Sequence, residues 1–396
     1  MKPTPAVLTT AEKVQRQLPK HCFWDEIEQE LYIDARRFFP AIGVVVVMGW
    51  DNMMLNAKPI PQYPTEFNVM SWPRQGFFVD WLKQIPAWVK DSCALFPSHQ
   101  LSLLHYAGKY PQILELLDQA PMLAWQLVKA NIEEPEIVAL LGGKRAQIAA
   151  SVGWPGKADT VKFLTNLRLR WVDDNIAEQV ETCLLDEKRL SALQGLARVN
   201  SMALSLAARF PELIGSQLHH ALAQLPCRPM QCKSMVSLLE DAYQLAAYLQ
   251  LSQAEVNKIG QCRYLVEVNQ LYQTWMKIVL PDTIQAIELS SRPTLISSQQ
   301  DWMALSSMQQ HAWFIDFKDH HAKSLKPVSQ LYAWQDEEGI WGALVTSHLP
   351  ASPSLLPQWD DVHGIVKIRG VENILAGAKQ VSFLHLWQAQ QLKQTD

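Results

Sequence analysis

Between Leu101 and Ala130 the chain reads LSLLHYAGKYPQILELLDQAPMLAWQLVKA. Ile113, Leu116 and Leu117, then Leu123, Leu127 and Val128, recur at the i, i+3, i+4 spacing of one helix face, and each set predicts a short helix with a buried stripe. Pro111 and Pro121 fall where the next helix would start, a position whose amide has no intrahelical acceptor anyway, so helical hairpins with tight corners are expected. Helical period continues from Gly76 to about Leu280. Upstream, Phe23, Trp24, Ile27, Leu31 and Ile33 predict an N-terminal helix stopped by Phe38, Phe39 and Pro40. The valines of AIGVVVVMGW predict a buried strand over Val44–Met48, and the Pro-, Asn- and Gln-rich stretch from Asn52 to Pro73 predicts an irregular connector or wrapping arm.

The pattern changes in the last quarter. LYAWQ (Leu331–Gln335), the turn DEEG and IWGALVTSHL (Ile340–Leu349) predict a β-hairpin, with Gly339 supplying a positive φ angle. WDDVHGIVKI (Trp359–Ile368) predicts a third strand, and Val371–Lys393 a final helix laying Ile374, Leu375, Ala378, Val381, Leu384 and Leu386 or Trp387 on one sheet face. The predicted fold is mainly α: an irregular helical body with a small C-terminal α+β unit, a three-stranded sheet plus a helix. Its expected parts are residues 1–70, 71–290 and 291–396. APMLAWQL (Ala120–Leu127) and FPELIGSQL (Phe210–Leu218) echo each other, but no fixed period links them, which favours an irregular domain over a solenoid.

Several of these segments together resemble the PcfJ-like family of bacterial mobile-element proteins. The stretch WPRQGFFVDWLKQIPAWVKDSCALFPSHQLSLLHYAGKYPQILELLDQAPMLAWQLV is similar to that family's helical N-terminal region, as is LLGGKRAQIAASVGWPGKADTVKFLTNL. LYAW followed by QWDDVHGIVKIRGVEN is similar to its closing strands and G-x-x-N turn, with Gly370 and Asn373 in the matching places. The chain departs from the family pattern where a Met is followed closely by His-Cys, since Met308 is followed by Gln310-His311 and then Ala312. It also departs at the earlier His-Asp pair, which aligns with Val268-Asn269. The resemblance implies a fold and a mobile-element setting, and no reaction.

Composition narrows the classes. A net charge of −4 creates no global field toward nucleic acid or an anionic membrane, so any such binding must be local. The polar N-terminus MKPTPAVLTTAEKVQRQLPK lacks the apolar core of a secretory signal, and the most apolar run, Ala41–Trp50, is too short to span a bilayer. A cytoplasmic protein with no membrane partner is expected. Its scattered cysteines, Cys22, Cys93, Cys183, Cys227, Cys232 and Cys262, read as reduced thiols.

Candidate chemistry lies in three places. MQQHAWFIDFKDHH (Met308–His321) carries His311, Asp316 and His320, and a helix would place Asp316 and His320 on one face, as a metal-dependent hydrolase or nuclease would need. The competing reading is a solvated helix end, since Trp313, Phe314 and Ile315 require burial elsewhere. HHALAQLPCRPMQC offers His220, Cys227 and Cys232 as zinc ligands, although a gap of four between the cysteines is wider than in a zinc knuckle. Lys144, Arg145, Lys162, Arg168 and Arg170 lie among Trp154, Phe163 and Trp171, a basic-aromatic mixture able to hold phosphates, with Asp173, Asp174 and Glu178 close enough in sequence to offset it. No P-loop and no complete nucleophile motif occurs, and no cofactor is expected. The leading expectation is a non-enzymatic accessory protein of a mobile-element, phage-related or defence assembly, with a protein partner. A metal-dependent hydrolase and a nucleic-acid-binding protein are the alternatives.

Overall fold

The computed structural model describes residues 10–130, 132–196, 198–225, 229–280, 284, 286–316, 329–346, 365–371 and 374–394. The chain is mainly helical, with two antiparallel sheets among the described residues, and forms two compact units that meet in sequence at Cys227/Arg228. The sequence pattern suggests three parts, whereas contacts within the chain group it into two. Residues from Leu18 to Ala223 contribute to one continuous apolar core, in which the inner face of the three-stranded sheet packs with the helices that follow.

The N-terminal unit corrects the expected N-terminal helix. Among the described residues up to Met48, helix is confined to Thr10–Gln17 and a 3-10 turn at Leu18–His21, after which β1 (Cys22–Asp25) and β2 (Glu30–Asp34) form a hairpin that β3 (Val44–Met48) extends. The apolar positions have period two: Cys22, Trp24, Leu31 and Ile33 are buried, while Ile27 is an exposed turn residue. Asp25 Oδ1 accepts from the amides of Ile27 and Glu28 at 2.9 and 3.1 Å, and Gln29 adopts φ 55°, so the turn forms without glycine or proline.

The expected hairpin corners are present. Tyr110 ends the helix Gln100–Lys109 and precedes Pro111–Gln119, and Ala120 does the same between that helix and Pro121–Lys129. The wrapping arm is pinned by side chains. Ile60 N donates to Glu134 Oε2 at 2.8 Å, Lys109 Nζ donates to Glu134 Oε1 at 2.6 Å, and Tyr63 Oη lies 2.7 Å from His105 Nδ1. Tyr63, Phe67, Val69 and Trp72 bury beneath it. The sequence echo is no structural repeat. Pro121–Lys129 is one helix, whereas Pro211–Leu213 is a 3-10 turn cut off by Gly215 at φ 76°, and Ser216 caps a new helix, Gln217–Ala223.

In the C-terminal unit the predicted hairpin, β5 (Ser329–Asp336) and β6 (Gly339–Thr346), forms with Gly339 at φ 136°. Two neighbours flank it, β4 (Thr294–Ile296) on β5 and β7 (Ile365–Arg369) on β6, so among the described residues the sheet has four strands in the order β4-β5-β6-β7. Residues 359–364 of the predicted third strand lie outside the described residues. Both faces are covered. Leu331, Ala333 and Leu344 pack with Trp302, Leu305 and Trp313, while Trp334, Trp341 and Ala343 pack with Leu384 of the final helix, Ala378–Gln394. That helix starts later than expected and Ile374 is exposed, because the chain first turns back to bridge Leu375 with Arg369, while of Leu386 and Trp387 it is Trp387 that packs on the sheet. Gly342 is required where it stands, since a Cβ there would lie 2.8 Å from Gln309 Oε1 and 2.9 Å from the Trp313 ring.

Candidate functional site

In the N-terminal unit, the helix Ala158–Asn166 runs out into an extended stretch, Leu167 to Val172. Alternation from Leu167 to Arg170 turns Leu167 and Leu169 toward the core and leaves Arg168 and Arg170 exposed, and a bend at Arg170 lets Val172 bury in its turn. A second extended stretch lies parallel to it: Leu167 bridges Val199, Arg168 N donates to Val199 O at 2.8 Å, and Val199 N donates to Asn166 O at 3.0 Å. With Val199 buried, Arg198 is turned outward as well.

The three arginines line one cavity of about 640 Å³, together with Asn200, Ser201, His220 and Leu225, and no acidic side chain is among its described lining residues. Its walls are fixed by Asn200, whose Oδ1 accepts from Ala203 N at 2.8 Å to cap the helix Ser201–Arg209, while Nδ2 donates to Ala223 O and Leu225 O at 2.9 and 3.0 Å. The amides of Ser201 and Met202, the first two of that helix, have no intrahelical acceptor. Arg168 Nη1 is held by Thr165 O and Leu167 O, both at 2.7 Å, leaving Nη2 and Nε for a ligand.

Of the basic residues singled out in the sequence, only Arg168 and Arg170 reach this cavity. Arg145 pairs with Glu115 at 2.7 Å, Lys144 is the N-cap residue of Arg145–Ser151, and Lys162 is an exposed residue of the helix Ala158–Asn166. Asp173 and Asp174, expected to offset the arginines, do not line the cavity, and Asp173 Oδ1 is engaged by Ile176 N at 2.8 Å as a helix cap. Sequence reasoning missed Arg198 and the part played by His220. His219, next to it, is buried and its imidazole is pushed below the ordinary histidine range by that burial. Cys227 lies outside the described residues, and Cys232 belongs to the helix Pro229–Tyr248. Among the described residues no three His, Cys, Asp or Glu side chains converge as a metal-ligand group.

The C-terminal unit holds a second cluster of charge, of opposite construction. The helix Gln299–Gln309 ends in a Schellman turn, with Gln310 at φ 53° and His311 N donating to Ser306 O at 3.1 Å, which swings His311 inward. There its Nδ1 lies 3.6 Å from Asp241 Oδ2, and its ring packs edge-on against Trp313 at 4.5 Å. Asp241 also faces Arg369 Nε at 3.8 Å and Lys367 Nζ at 3.9 Å, and Lys367 reaches Asp316 at 3.4 Å. Arg369 donates from Nη2 to Ser237 Oγ. Tyr272 Oη accepts from Ala312 N at 2.8 Å, and burial pushes its phenol well above the usual range, with Asp241 adding to the rise. His311 and Asp241 are nearly sealed from solvent, at 1% and 4% exposure, which shows that this histidine is no solvated helix end. Asp316 joins the network at its edge, and His320 lies outside the described residues.

Comparison with protein-family models, curated proteins and solved structures gave no match to this chain.

Proposed function

We propose that the chain is a non-enzymatic binding protein that holds nucleic acid through the Arg168–Arg170–Arg198 cavity, and that it serves as an accessory component of a mobile-element, phage-related or defence assembly. The carrying observation is the cavity itself, a concave site with three guanidiniums and no carboxylate among its described lining residues. Guanidinium forks suit phosphate oxygens, and an exposed cluster of one sign needs a counter-charge from outside the protein. The resemblance to PcfJ-like proteins supports the mobile-element setting. A protein partner has a surface to use in the outer face of the N-terminal sheet, where Phe23, Val44 and Val46 are exposed beside Phe77.

The test is fluorescence anisotropy with a labelled oligonucleotide over a range of salt. Binding at low salt should weaken with a log–log slope of about −2, as expected for three contacts to a single strand. Arg170→Glu and Arg198→Glu should abolish it. An absence of binding at low salt would discard the reading. The enzymatic alternative keeps one observation, the joining of His311 and Asp316 to a single network through Lys367 and Asp241. It requires bound divalent metal by elemental analysis and an activity lost in Asp316→Ala without loss of folding.

A further inference from the structure

We infer that the cavity takes a terminal phosphate monoester, as found at the 5′ end of a strand or on a free nucleotide, in preference to an internal phosphodiester. This rests on the reading of the cavity as a phosphate site. Shape is the first argument. A duplex presents its phosphates along a convex ridge and meets proteins on open surfaces, whereas here Arg168, Arg170 and Arg198 line a recess of about 640 Å³, a volume suited to a small molecule or a chain end.

Charge is the second argument. An internal phosphodiester carries one negative charge, while a terminal monoester near neutral pH carries between one and two and offers three strong acceptor oxygens. Three guanidiniums in one recess exceed what a single diester can neutralise, and they match a dianion better. The two extended stretches supply them from different directions, Arg168 and Arg170 from one and Arg198 from its parallel neighbour. The start of the helix Ser201–Arg209 also borders the recess at Asn200 and Ser201, which sets the positive end of its dipole beside the arginines.

Chemistry of the walls is the third. Strands bound along their length rely on aromatic platforms for base stacking, and no Trp, Tyr or Phe is among the described lining residues. The base therefore contributes little, and the phosphate carries recognition. Arg168 is already oriented by Thr165 O and Leu167 O, so it is ordered before the ligand arrives.

The experiment compares two single-stranded oligonucleotides of one sequence, labelled at the 3′ end, one with a 5′-phosphate and one with a 5′-hydroxyl, binding to the full chain. The 5′-phosphorylated strand should bind about tenfold more tightly or better, the scale of one added charge-assisted contact. Arg170→Ala and Arg198→Ala should remove that preference with unchanged circular dichroism, while Arg145→Ala, whose guanidinium is on Glu115, should leave it intact. Competition by a nucleoside 5′-monophosphate identifies the source: displacement at a similar concentration points to free nucleotides, and a much weaker effect points to strand ends. Equal binding of both strands, weakened alike by the arginine variants, would overturn the inference and leave the nucleic-acid reading standing. No binding of either strand would remove both.

Discussion

Two short stretches of this chain carry the same alternation and meet opposite fates. Leu167-Arg168-Leu169-Arg170 and Val366-Lys367-Ile368-Arg369 each set two cations against two apolar residues along extended backbone. In the first, one side is buried in the core and the arginines face a cavity with no acidic residue among its described lining. In the second, the sheet is covered on both faces, so Arg369 is buried as well, and Asp241 and Asp316 stand opposite the cations. Alternation decides which residues share a side. Only the surroundings decide whether a cation serves the fold or waits for a ligand.

The comparison breaks most readily at Asp241. Removing Asp241 from this mutually compensated set leaves Arg369 charged and nearly cut off from solvent, at a cost of about 3–5 kcal/mol. Asp241→Ala should therefore lower the unfolding free energy of the C-terminal unit by that amount in urea titration. Arg369→Met, which keeps volume while removing charge, should cost about as much because Asp241 is left facing fewer cations. If both variants unfold like the parent chain, the network is not holding the fold and its charges need another explanation.

The N-terminal unit sharpens the contrast with a buried group whose neighbouring anion, Glu134, is already paired with Lys109. His105 is 1% exposed, lies against Tyr63, and is pushed down to about 4, chiefly by burial and then by Lys109. The folded state keeps it neutral where the unfolded chain, with the ordinary value near 6.5, already binds a proton. Stability is thus fully present above pH 6.5 and is lost as pH falls toward 4, by about 3 kcal/mol in all. His105→Gln should flatten that acid limb in pH-dependent melting, even if it lowers stability at neutral pH.

How much of this was legible depended on sequence distance. The helical corners at Pro111 and Pro121 and the Gly339 hairpin are local events with local signatures, and they were readable; the Val44–Met48 strand was readable too, but not as a buried one, since Val44 and Val46 face outward from a sheet with one covered face. The β1–β2 hairpin was misread because Phe23, Trp24, Ile27, Leu31 and Ile33 also satisfy a helical period, and its turn is closed by Asp25 and Gln29 rather than by glycine. Arg198 joins Arg168 through a bridge spanning 32 residues, and Asp241 meets His311 from 70 residues away, so neither site carries a contiguous motif. The alternating cations of LRLR and VKIR were the available trace, and they could not tell the two outcomes apart.

Asn200 tests whether the cavity depends on its scaffold. Its side chain caps one helix and binds the carbonyls at the end of another, so Asn200→Ala should cost about 1–2 kcal/mol in stability. Phosphate affinity should fall too, because the wall carrying His220 and Leu225 is released. Asn200→Asp, which retains the cap but not the donor to Ala223 and Leu225, should restore part of the stability while adding a negative charge that repels the ligand.

The smallest expected change in stability is at Arg198, and it separates the two kinds of charge most cleanly. Exposed arginines that line a common cavity repel one another in the unliganded protein, and no described carboxylate lines the cavity to offset them. Arg198→Ala should therefore alter the unfolding free energy by no more than about 0.5 kcal/mol, in the stabilising direction, as at other exposed positions without a structural role. The same substitution should abolish the preference for a 5′-phosphate, an exchange of function for stability that marks residues retained for a ligand. Arg369→Met should show the reverse, a large loss of stability with phosphate binding intact at temperatures where the N-terminal unit stays folded. If Arg198→Ala destabilises the protein as strongly as Arg369→Met does, the cavity arginines serve the fold after all, and the division drawn between LRLR and VKIR fails.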